Sequence, residues 1–145
     1  RQLLKQSGYP GMKILEFAFD GKRDNEYLPH NYEKNCVVYT GTHDNDTLCG
    51  WYKVLDPEDL KLSQKYMNNA NTPKRQIHWD FIRLALASVA DLCIIPLQDY
   101  LGLGSEARIN TPSTLGNNWR WRMTQGCLTK ELADQIRELT TLYGR

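Results

Sequence analysis

The stretch Val38-Tyr39-Thr40-Gly41-Thr42-His43-Asp44-Asn45-Asp46-Thr47 runs an apolar segment straight into a cluster of side chains able to do chemistry. A carboxylate fixed where a buried strand ends can accept hydrogen bonds from two neighbouring hydroxyls of a sugar. Such bonds strengthen as a glycosyl ring flattens toward an oxocarbenium ion. Asp44 stands where the apolar run stops, and His43 beside it can donate to another hydroxyl of the same ring. The same residue types also suit a structural task, because Asp and Asn favour turns and helix N-caps. Residue types alone leave both readings open.

Other signals compete for attention. His43, Asp44 and Asp46 can be read as metal ligands, which would make the chain a metal-dependent phosphohydrolase. A catalytic zinc site takes three protein ligands, commonly His. Only His30 and His78 remain, and His78 falls in a helical pattern, so no metal and no cofactor are expected. Gly102-Leu103-Gly104-Ser105-Glu106-Ala107 has the letters of a dinucleotide fingerprint. It does not follow a strand directly, and no acid lies at the expected spacing downstream. Trp119-Arg120-Trp121-Arg122 alternates aromatic and basic residues. Stacking on bases or sugars competes there with packed Trp rings flanked by guanidiniums, and packing is the expectation.

The elements that must position these groups are legible as patterns. Three continuous apolar runs, residues 12–19 (MKILEFAF), 36–40 (CVVYT) and 92–95 (LCII), are bounded by Gly, Pro, Asp or Asn. Continuous rather than alternating runs suit strands covered on both faces. Asp56-Pro57-Glu58-Asp59 is a helix start, with Asp as N-cap, Pro at the first helical position and acids in the first turn. Leu60, Tyr66 and Met67 would face the core. Thr72-Pro73 opens a second helix with Ile77, Phe81, Leu84, Ala85 and Ser88 on one face. A last helix begins near Thr129, with Leu132, Ile136, Leu139 and Tyr143 as its stripe and Gly144 as its C-terminal cap. Buried parallel strands joined by helices imply α/β architecture. Three strands leave both sheet edges open, and a (β/α)8 barrel takes about 30 residues per unit. Residues 1–145 therefore read as a piece of a barrel whose earlier strands lie upstream.

Bulk properties exclude several classes. The 145 residues are 41% hydrophobic and 24% charged, as in an ordinary folded domain. A net charge of +1 with no basic stripe argues against a nucleic-acid partner. No apolar run reaches the length of a membrane span. The N-terminal residues lack a signal-peptide core. Cys36, Cys49, Cys93 and Cys127 are too widely spaced for C-x-x-C pairs, which suits a reducing compartment such as the cytoplasm.

From residue 8 to residue 122 the chain resembles the C-terminal third of the amylomaltases, glycoside hydrolase family 77. The resemblance rests on the stretches PGMKILEFAF (10–19), YLPHNY (27–32), YTGTHDNDT (39–47), LGLGSEARINTP (101–112) and GNNWRWR (116–122), in the family's order. Ser113, Leu115 and Asn117 depart from a loop that is usually richer in Gly and Pro. The family belongs to the α-amylase clan, so the resemblance implies roughly strands six to eight of a (β/α)8 barrel. It also implies transfer of α-1,4-glucan segments between maltodextrins by a retaining mechanism, without metal or cofactor. On that resemblance Asp44 is the carboxylate that supports the transition state and His43 touches the reacting glucose. Asp20, after the sixth strand, would line the acceptor side, and Asn110 would reach the glucan. Local readings compete for both, since a loop Asp bonds its own backbone and an Asn before Thr-Pro favours a turn. The nucleophile and acid/base carboxylates are expected upstream of residue 1. Glu16, inside the first apolar run, and Asp20 match neither. A non-catalytic carbohydrate-binding piece is the second reading. The cytoplasm is the expected location, or the plastid in a plant.

Overall fold

The computed structural model describes residues 2–145, and its centre is a sheet of three parallel strands in the order β1-β2-β3. The strands are β1 (Gly11–Ile14), β2 (Cys36–Tyr39) and β3 (Leu92–Ile94). Gly11 lies opposite Cys36, and Ile14 opposite Tyr39. Tyr39 in turn lies opposite Ile94, so the three carboxyl ends finish level at one edge. The helices are α1 (Gln2–Ser7), α2 (Leu48–Lys53), α3 (Pro57–Met67), α4 (Ile77–Leu86), α5 (Leu97–Tyr100) and α6 (Lys130–Leu142).

Local chemistry explains most boundaries. Asp56 accepts from the Glu58 backbone N–H and Pro57 opens α3, as the sequence reading expects. Tyr66 and Met67 pack on the main core, but Leu62 joins them where Leu60 was expected. Thr129 caps α6 by accepting from the Leu132 N–H. A 3₁₀ turn over Lys74–Gln76 precedes α4.

The first apolar run departs from expectation. Its strand stops at Ile14, and Leu15–Phe17 form a 3₁₀ turn. Leu15, Glu16, Ala18 and Phe19 are all buried, a spacing that strand alternation cannot supply. The turn can, because it brings positions i and i+3 to one side. Glu16 N–H still donates to Thr40 C=O at 3.2 Å. Glu16 is thus set under the end of β2 rather than inside a strand.

One sheet face is covered and the other is open. Cys36 and Val38 pack with Leu15, Tyr32, Ala85 and Ala90. A second cluster centres on Phe81, which meets Phe19, Trp51 and Tyr52 edge-on at 5.3 to 5.9 Å. On the opposite face Met12, Leu92 and Ile94 are exposed, while Val37 and Tyr39 are half-buried. Ile14, on the same face at the carboxyl end of β1, is buried, but the rest of the face is left largely open among the described residues, against the expectation of strands buried on both sides. All four cysteines are unpaired.

Candidate active site

The loop from Gly41 to Thr47 joins β2 to α2, and its polar residues divide the work. Asn45 Oδ1 accepts from the Thr42 N–H at 3.0 Å and from Thr42 Oγ at 2.7 Å, which closes the turn. Asp46 accepts from the Thr47 N–H at 2.7 Å and from Ser105 Oγ at 2.6 Å. Thr47 is the N-cap of α2, accepting from the Gly50 N–H. Turn and cap are therefore built without the Asp44 side chain. Asp44 and His43 are half-exposed, with His43 Nε2 3.3 Å from Asp44 Oδ1.

Asn110 comes to the same carboxylate from the loop after β3. Its amide donates to Asp44 Oδ1 at 2.6 Å, and its backbone N–H donates to His43 C=O at 3.1 Å. Arg108 staples the two loops together. Its Nη2 donates to Asp44 C=O at 2.7 Å and its Nε to Asn110 C=O at 2.9 Å. The sequence reading passed over Arg108. The available signal was the A-R-I-N alternation, since residues two apart in an extended segment share a side.

Beneath the loop lies a buried polar knot that the sequence reading also missed. Asp99, in α5, accepts from Thr40 Oγ at 2.5 Å and from the Leu48 N–H at 2.8 Å. One carboxylate so grips both ends of the 41–47 loop. Burial pushes Asp99 up to about 6, with its two hydrogen bonds opposing and nearby Asp46 adding. Glu16 is 7% exposed, and its Oε1 has no hydrogen-bond partner among the described residues. Burial, then the charges of Asp99 and Asp46, push Glu16 up to about 9 against the pull of Arg108 and Asn45. Gly41 rests directly on it, and a Cβ there would stand 2.7 Å from Glu16 Oε1.

Asp20 is not brought to this cluster by any contact. Its Oδ1 accepts from the Lys22 N–H at 3.1 Å and from the Asn25 amide at 2.8 Å. The Asn25 and Lys22 bonds hold the Asp20 carboxyl below the usual range. Trp119 departs from the packed expectation, because the residue is 58% exposed and its ring lies against His43 with centroids 5.1 Å apart. Arg122 donates to the backbone carbonyls of Trp119 and Trp121 instead of stacking on a ring. His78 is buried against Gly102, with burial lowering its pKa. Among the described residues no three His, Cys, Asp or Glu side chains stand together as a metal ligand set.

An open cleft of about 500 Å³ runs from the bare sheet face to the Asp44 turn, lined by Met12, Tyr39, His43, Asp44, Ile94 and Ile109 among others. Polar groups thus converge at the carboxyl end of parallel strands, where α/β proteins commonly bind their ligands. The profile of the glycoside hydrolase 77 family, described as 4-alpha-glucanotransferase, matches residues 1–129, and the chain belongs to that family. A 4-alpha-glucanotransferase of Clostridium butyricum is 51% identical over 142 residues, covering 97% of this chain and 29% of the relative. The chloroplastic/amyloplastic 4-alpha-glucanotransferase of Arabidopsis thaliana is 48% identical over 147 residues, covering 99% of this chain and 25% of the relative. Among solved structures, the amylomaltase of Streptococcus agalactiae in complex with acarbose superposes with a TM-score of 0.93 at 38% identity, covering 99% of this chain and 29% of that one. The amylomaltase of Corynebacterium glutamicum matches at a TM-score of 0.70 and 14% identity over 96% of this chain and 26% of that one, which speaks to the fold alone. The chain thus spans little more than a quarter of the length of these relatives.

Proposed function

We propose that this chain is the C-terminal part of a transferase that moves α-1,4-glucan segments between maltodextrins, and that Asp44 supports its transition state. The observation that carries the reading is the division of the Asp44 carboxylate. Oδ1 is held by the Asn110 amide at 2.6 Å, and His43 Nε2 lies 3.3 Å from it. No protein group among the described residues bonds Oδ2, and the side chain is half-exposed beside the cleft. A carboxylate fixed at one oxygen and open at the other is prepared for a ligand.

In the proposed reaction a nucleophilic carboxylate, supplied by the longer protein, attacks the anomeric carbon of a glucan. The glycosidic bond breaks and the leaving oxygen takes a proton from an acid/base carboxyl. Positive charge builds on the ring, and Asp44 stabilises it at short range with no reorganisation. His43 and Asn110 fix the carboxylate and the sugar hydroxyls. A glucan 4-hydroxyl, giving its proton to the acid/base carboxylate, then displaces the enzyme carboxylate, so the anomeric configuration is retained. Asp20, in the loop that follows β1 and its 3₁₀ turn, would line the acceptor side.

The bare apolar face supports the architectural half of the proposal. Met12, Leu92 and Ile94 would lie inside a (β/α)8 barrel, with β1 to β3 as about its sixth to eighth strands. Layers of such side chains fill barrel interiors. No helix among the described residues is long and apolar enough to cross a membrane. Cytoplasm in a bacterium, or plastid in a plant, is the proposed location; plant relatives are named chloroplastic/amyloplastic. The test is incubation of the full-length protein with maltotriose. Glucane exchange yields glucose together with longer maltodextrins, and unchanged maltotriose would end the proposal.

A further inference from the structure

We propose that Trp119 is a sugar-stacking platform for the glucose unit next to the one held at Asp44, and that the same ring positions His43. The inference rests on the transferase reading above.

Three observations carry it. Trp119 is 58% exposed among the described residues, whereas the other three tryptophans are at least partly buried. Its ring lies on the His43 imidazole at 5.1 Å and 33°, and that imidazole reaches Asp44 Oδ1. No other ring meets Trp119 among the described residues, so indole surface is left facing solvent at the edge of the site. Indole joins a broad apolar face to one polar N–H, which suits the C–H face of a pyranose ring with hydroxyls at its rim.

The backbone supplies the third observation. Trp119 has φ of +63°, a left-handed conformation that is uncommon for a bulky side chain. Gly116, Asn117 and Asn118 just precede it and adopt that conformation more readily. Gly116 takes a positive φ as well, +113°, where it costs little, but the loop also places one on Trp119 and braces it. Trp119 N–H donates to Ile109 C=O at 2.7 Å, and Arg122 donates to Trp119 C=O at 3.3 Å. Asn118 Oδ1 accepts from the Thr111 N–H at 2.9 Å. The Ile109 bond adjoins Asn110, so one loop presents both the indole and the amide. Strain held in place by surrounding bonds is characteristic of functional positions.

The strain makes the test decisive. In the full-length enzyme, Trp119→Gly removes the ring and relaxes the backbone, while Trp119→Phe keeps a smaller ring. Trp119→Gly should melt no lower than wild type yet raise KM for maltotriose about tenfold, with a smaller change in kcat. Trp119→Phe should recover most of that loss. A KM for Trp119→Gly within about twofold of wild type overturns the inference. A KM defect that tracks a lowered Tm and that Phe does not relieve also overturns it. If the wild-type enzyme itself fails to transfer glucose units from maltotriose, the transferase reading falls and takes this one with it.

Discussion

The Asn110 amide meets Asp44 Oδ1 at 2.6 Å across 66 residues of sequence, joining the loop after β2 to the loop after β3. That bond fixes the carboxylate without occupying its second oxygen. On the proposed mechanism Asp44→Asn removes negative charge where positive charge develops, and should lower kcat on maltotriose by about 10²–10³-fold. Far-ultraviolet circular dichroism should not change. Asn110→Ala leaves the charge but frees its orientation, and should cost about tenfold in kcat/KM. Near-normal turnover by Asp44→Asn would remove Asp44 from the mechanism.

Asp99 makes the 41–47 loop a clamped unit, since it accepts from Thr40 at one end and Leu48 at the other. Asn at this position offers one acceptor oxygen, so a buried donor loses its partner. Asp99→Asn should destabilise the full-length protein by about 1–3 kcal/mol. It should also lower kcat although Asp99 touches no substrate. Chemical denaturation and maltotriose kinetics on the same preparation check both. A variant with full activity and unchanged stability would show that the clamp does not hold the loop.

Glu16 predicts a pH dependence of stability. Its folded pKa, about 9, lies above its ordinary value of 4.5. Between those values the unfolded chain has released a proton that the folded chain keeps, so stability falls as pH rises. The contribution is fully present below about pH 4.5 and lost by about pH 9. Glu16→Gln removes the ionisation and should raise Tm at pH 8 by about 3 °C or more. A shallower slope should persist between the ordinary carboxylate range and pH 6, where Asp99 titrates by the same sign. Parallel Tm curves for wild type and Glu16→Gln across pH 5–9 would refute the assignment of Glu16 as a neutral buried acid.

What the sequence made visible follows the range of the interactions. The Asp56-Pro57 start of α3 and the Thr129 cap of α6 act within four residues, and both patterns are readable locally. The β2 strand and the loop after it are also contiguous, so His43 and Asp44 stood out as candidates. Glu16, Asp99 and Arg108 acquire their roles only when distant segments meet. Glu16 was further hidden by its setting, because MKILEFAF has the apolar content of a strand while its burial pattern needs a turn. The orientation of Trp119 depends on a left-handed backbone that no residue type in GNNWRWR announces.

The open sheet face gives the last expected outcome. Met12 and Leu92 are 57% exposed and Ile94 48%, on the two outer strands, with half-buried Val37 and Tyr39 of β2 between them. A continuous apolar patch on a sheet invites association unless something covers it. The 145-residue chain produced by itself should therefore bind anilinonaphthalene sulfonate and elute from gel filtration above monomer size. Leu92→Lys with Ile94→Lys should reduce both signals in the isolated chain. In the full-length protein the same pair should be strongly destabilising, because two charges would be buried without partners inside the proposed barrel. The opposite signs separate a face built for burial from an ordinary surface. A monomeric, dye-silent isolated chain, or a full-length protein indifferent to both lysines, would remove the barrel interior from that face.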